Sequence, residues 1–160
     1  MTKSAIKFII WFAILQFVTY FLAGMLAYSV LGEKEFYPPS PHALDYLRDT
    51  MSSHVQTFFA PAQLVRGLLF AVVLLPFRKR VFELGQFWGG LSITAILFII
   101  GYVAASGGVI EHLVYFTAES YPLKFVSITL IEIFIQTLIL GQAVMLLERK
   151  YNSEYYNKTT

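Results

Sequence analysis

The chain contains no cysteine. That absence removes disulfides, thiolate metal sites, thiol nucleophiles and disulfide redox chemistry together, and it leaves the redox compartment unread. Charge is scarce as well: Asp, Glu, Lys and Arg make up 14% of residues, against about 25% in ordinary soluble domains. No basic block is interleaved with aromatics, so nothing points to nucleic acid. There is no Gly-rich phosphate loop, no helical zinc-protease motif and no pair of aspartates within an apolar run. The histidines, His42, His54 and His112, all lie outside the apolar runs. Glu111 and His112 are neighbours, and on a helix adjacent side chains diverge by about 100°, so they make no ready chelate. Neither a metal nor a cofactor is expected. Ser52-Ser53-His54 brings a hydroxyl and an imidazole together only by adjacency in the chain, and no catalytic set is assigned.

What is present is apolar surface. Hydrophobic residues are 57% of the 160, more than a soluble chain of this size can bury, and lipid is the solvent that fits. Four stretches stand out, at about 8–31, 57–76, 87–105 and 125–147. Each meets or approaches the roughly 20 residues that cross a 30 Å hydrocarbon core. Backbone groups in lipid must bond within their own segment, so the stretches read as helices. The first far exceeds the roughly 7–15 residue core of a signal peptide, which makes it a retained span. Pro61 is expected either to kink the second or to mark its first turn. The expected fold is an all-α membrane protein, one domain over 1–160, built as a bundle of four transmembrane helices.

Charge distribution sets the orientation. Lys3, Lys7, Arg78, Lys79, Arg80, Arg149, Lys150 and Lys158 fall at the termini and in the 77–86 loop. The other two loops hold Lys34, Arg48 and Lys124, together with Glu33, Glu35, Asp45, Asp49, Glu111 and Glu119. This asymmetry places both termini in the cytoplasm. The sequon at Asn157-Lys158-Thr159 then lies on the wrong side to matter. Trp11 and Trp88 suit the inner interface, and Tyr28, Tyr37, Tyr115 and Tyr121 the outer one. In the outer loop 32–56, Ser40 and Pro41 predict the start of a helix. Leu44, Leu47, Met51 and Val55 recur at helical spacing, so this helix is expected to be amphipathic and to lie at the outer surface.

Two charges of opposite sign lie inside spans, Arg66 in the second and Glu132 in the fourth. Such a charge costs about 2.5–3.5 kcal/mol on insertion scales and must face protein or water. At 1.5 Å per residue both lie roughly 12–13 Å from the outer ends, which makes an ion pair, direct or through water, geometrically reasonable. Gln16 and Gln136 fall near one deeper level, roughly 18 Å down, and predict an amide layer beneath the charged one. Thr129, Glu132, Gln136 and Ala143 share a face of the fourth helix. Gln16, Thr19, Tyr20, Ala23 and Ala27 share one on the first. Gly90, Thr94, Gly101 and Ala105 form a small-residue stripe suited to close packing. Glu111, after the Gly107-Gly108 turn, is either solvated or the third member of an outward-opening polar site. Interhelical hydrogen bonding is the plainer role for the whole seam, at roughly 0.6–2 kcal/mol per residue.

Three segments carry a resemblance: Gln63-Leu64-Val65-Arg66-Gly67 running to Pro76-Phe77, Gly108-Val109-Ile110-Glu111, and Ile131-Glu132-Ile133-Phe134-Ile135-Gln136. They resemble small bacterial membrane proteins with four spans. The resemblance implies that topology and a bacterial plasma membrane, without an activity. The leading expectation is a non-enzymatic bundle in the lipid bilayer that binds a membrane partner or assembles into a homo-oligomer. The alternatives are transport of an ion, proton or small amphiphile along the Arg66–Glu132 seam, and a lipid-modifying enzyme at the outer leaflet.

Overall fold

The computed structural model describes residues 3–44, 49–103 and 123–157. These are helical throughout their ordered elements, with no strand among them. Helix α1 spans Lys3–Leu26 and runs on through a π-helical turn, Ala27–Leu31. It stops at Gly32, whose φ of 83° is the left-handed cap that glycine adopts without strain. A 3-10 turn, Glu33–Phe36, follows directly.

Helix α2 is Ser53–Leu74. Ser52 caps it, its hydroxyl oxygen accepting the Val55 N–H at 3.4 Å. The helix therefore starts two turns before Pro61, and that proline sits in the interior, where it withholds one backbone donor. The expected amphipathic helix is not continuous across the outer loop. Residues 41–44 and 49–52 are turns and irregular chain, and 45–48 lie outside the described residues. Ser40 spends its hydroxyl on the His42 N–H, a local turn, instead of capping a helix at Pro41.

The basic segment expected as a loop is mostly helical. Pro76 occupies the start of a 3-10 turn, Leu75–Phe77, where its missing N–H costs nothing, and α3 follows over Arg78–Glu83. Gly85, at φ 82°, reverses the chain into α4, Gly85–Phe98, which ends in a π-helical turn, Ile99–Val103. Helix α5 is Leu123–Asn157.

Four continuous helical stretches are long and apolar enough to cross a membrane: Lys3–Leu31, Ser53–Glu83, Gly85–Tyr102 and Lys124–Tyr151. Each overlaps one of the four expected spans. In space α1 packs on α2 and on α5, and α5 packs on α4, while among the described residues α2 has no comparably close partner besides α1. One end of the bundle gathers Ser4, Arg78 and Glu148, with Trp11 stacked on Tyr151 at 6.2 Å; we call it the terminal end. At the opposite, loop end, Phe36 meets Phe125 edge-on at 5.1 Å, and Phe36, Leu44, Ala27 and Ile128 close a small apolar cluster.

Candidate functional site

The terminal half of the bundle is filled. Phe12, Ala71, Leu140 and Met145 are buried in one cluster with Phe8, Leu74, Ile93 and Val144. Below it lies an ion pair that sequence reasoning missed. Arg78 Nε donates to Glu148 Oε1 at 2.6 Å and Nη2 to Oε2 at 2.8 Å, with a further bond from Nη2 to Ser4 Oγ at 2.8 Å. The guanidinium also lies 5.1 Å from the Phe8 ring centre. Only 9% of Arg78 and 4% of Glu148 remain exposed, so this cation is locked in the fold and does not behave as a free loop charge. Glu148 continues the i+4 row Leu140, Val144, and that is the signal that could have placed it.

The loop half is polar and differently arranged from the expected pair. Arg66 and Glu132 form no ion pair with each other. Both are close enough to Tyr20 to act on its phenol. Arg66 stacks its guanidinium 5.9 Å from the Tyr20 ring centre, on the exposed side of α2. Glu132, 8% exposed, turns instead toward α1, with Oε1 3.5 Å from where a side chain on Gly24 would begin. Among the described residues a second acid, Glu33, itself only 6% exposed, is close enough to act on the Glu132 charge. Gln16 and Gln136 are buried as an amide layer requires, but no hydrogen bond joins them. Glu111 lies outside the described residues, as do Tyr115, Tyr121 and His112.

Glu33 is a further site residue that sequence reasoning missed, having counted it only among the charges of the outer loops. The Gly32 reversal tucks it back under the 3-10 turn. Tyr37 donates to Glu33 Oε1 at 3.5 Å, the long limit of such a bond, and its ring tilts against Tyr28 at 6.2 Å. Burial, with Glu33 as the next cause, holds the Tyr37 phenol well above its ordinary range, so it stays a donor. The turn is pinned to α5 by Glu35, which pairs with Lys124 at 2.6 Å.

The two acids of this turn carry opposite pH signatures. Burial raises the Glu33 carboxyl, and the Tyr37 hydrogen bond offsets only part of that. Its contribution to stability is therefore full in acid and is lost as pH rises through the raised value. The bond to Lys124 lowers Glu35, whose contribution is present above the ordinary carboxylate range and is lost in acid. Thermal stability measured against pH for wild type and Glu33→Gln should show a gap that opens in the variant's favour toward neutral pH. Parallel curves would mean that Glu33 is solvated after all.

Among the described residues no three His, Cys, Asp or Glu side chains converge to hold a metal ion. The geometry defines a class: a helical bundle with four membrane-length helices, an apolar cluster and a buried ion pair toward one end and a buried acid–tyrosine cluster at the other. Comparison with protein-family models, with curated proteins and with solved structures finds no match for this chain.

Proposed function

We propose that the chain is an integral membrane protein of a plasma membrane, with both termini cytoplasmic, and that it works by assembling in the bilayer through α2. One observation carries this reading. Arg66 is a charge in the middle of a membrane-length helix, on its exposed face, with no acid paired to it among the described residues. In lipid such a residue needs a protein or water partner, and the residues that follow it along this face are apolar. Leu69 and Val73 share that face and are 62% and 54% exposed. A neighbouring helix, from a second copy or another membrane protein, that presents an acceptor at the level of Arg66 satisfies both features.

The absence of cysteine makes the test clean. Leu69→Cys and Val73→Cys in native membranes should give a bis-maleimide adduct of defined mass, while Met25→Cys on the exposed face of α1 should not. Adding Arg66→Ala should abolish the adduct. A chain that stays monomeric and free of adducts at both α2 positions would end this proposal. Conduction along the seam of a single chain is less well supported, because Phe12, Ala71 and Leu140 fill the path below Gln16. The lipid-enzyme alternative rested on Arg66 acting beside Glu132 or Glu111, and Arg66 is turned to Tyr20.

A further inference from the structure

Glu132 is more than nine-tenths buried and has neither a hydrogen-bond donor nor a paired cation among the described residues. The α1 backbone at Gly24 closes one side of its carboxyl. From α1 it faces Tyr20, and from the following turn Glu33 and Tyr37. From α2 the only charge is Arg66, held against the Tyr20 ring at 5.9 Å from its centre. From α4 and its π-helical turn the one titratable group is Tyr102, and its hydroxyl is spent on the Val126 carbonyl at 3.2 Å. Lys124 is engaged by Glu35. Among the described residues the site thus holds two buried carboxyls and no bonded cation. An ionised Glu132 here would lose most of its hydration with no bonded donor among the described residues to replace it, beside a second acid.

We propose that Glu132 and Glu33 form a proton-binding site at the loop end, in which Glu132 carries the proton while Glu33 and Tyr37 close over it. A proton fits where a metal ion does not. Among the described residues the two carboxyls supply too few ligands for a metal shell, whereas a proton needs only one oxygen. Uptake is a simple transfer: the Glu132 carboxylate takes a proton from the medium and becomes a neutral carboxyl. Release requires the Glu33–Phe36 turn, held by the Glu35–Lys124 pair, to lift.

The test is infrared absorption of the full-length protein in lipid vesicles, read at the carboxyl C=O stretch across a pH series. Wild type should show a protonated carboxyl at neutral pH. Glu132→Gln should lose that band, and Glu33→Gln should keep it but titrate it away at lower pH, because the neighbouring negative charge is gone. No band at neutral pH in wild type, or a band unchanged in Glu132→Gln, overturns the proposal. Folding provides a second readout. Glu132→Gln mimics the protonated form and should be at least as stable as wild type, so a variant that fails to fold shows that the negative charge is required and overturns the proposal too. Sodium, potassium and choline salts should leave stability alike. A sodium-specific gain abolished by Glu132→Gln would assign the site to an alkali ion and not to a proton.

Discussion

Replacing Glu148 with alanine is expected to cost about 3–5 kcal/mol of stability, the usual penalty for stranding one member of a buried ion pair. The loss is large because of what stays behind. Arg78 is always charged, and its two bonds to Glu148, at 2.6 and 2.8 Å, form a bidentate fork. Ser4 and the Phe8 ring remain, but a hydroxyl and a ring face do not neutralise a buried guanidinium. Arg78→Lys keeps the charge and loses the fork, so it should fall between wild type and Glu148→Ala. The double variant Arg78→Met, Glu148→Leu removes both charges and restores apolar volume, and it should recover most of the loss. Thermal unfolding in detergent, with folded yield as a second readout, measures all three. If Glu148→Ala lies within about 1 kcal/mol of wild type, the two residues are hydrated and the pair is not a buried one.

This pair also shows how far the sequence was legible and where it stopped being so. The four apolar stretches were readable because length and hydropathy are local properties, and every one became a membrane-length helix. Charge counting was less informative, because it treats each cation alike. Arg78 was one of eight at the predicted inner side, and only packing tells that Glu148 claims it. Glu132 and Arg66 stood out as charges within spans. Their depths matched, but depth along an axis says nothing of azimuth, and Arg66 lies against the Tyr20 ring instead. Glu33 was invisible for a different reason. Its burial follows from the left-handed turn at Gly32 and the docking of Phe36 on Phe125, neither of which hydrophobic periodicity encodes. The outer loop misled through Ser40: a residue that can cap a helix can equally close a turn on its own chain.

The second large effect is expected at a glycine. In a helix interior, Gly→Ala ordinarily stabilises by up to about 1 kcal/mol. At Gly141 the sign should reverse. A methyl there would collide with the Gly90 carbonyl oxygen and sit 2.7 Å from Thr94 Oγ1. Thr94 cannot step aside, because its hydroxyl lies 2.9 Å from the Gly90 carbonyl and 3.1 Å from that of Thr137, tying α4 to α5. Relief requires the two helices to separate, and in a bilayer, as proposed above, helix association rests on such close contact. Gly141→Ala should therefore destabilise by roughly 1–3 kcal/mol, as overpacking does, and Gly141→Val by more. Two other glycines serve as internal controls. At Gly90 the atoms nearest an added methyl belong to the end of the Gln142 side chain, which can swing away, so Gly90→Ala should be near neutral. At Gly24 the nearest atom is Glu132 Oε1 at 3.5 Å, an ordinary contact, and Gly24→Ala should keep the normal helix-propensity gain. Unfolding measurements on the three alanine variants therefore separate propensity from contact. Equal gains at all three would mean that α4 and α5 do not meet at Gly90 and Gly141. A loss confined to Gly141 places the closest helix approach there, with the Thr94 hydroxyl as the fastening between the two helices.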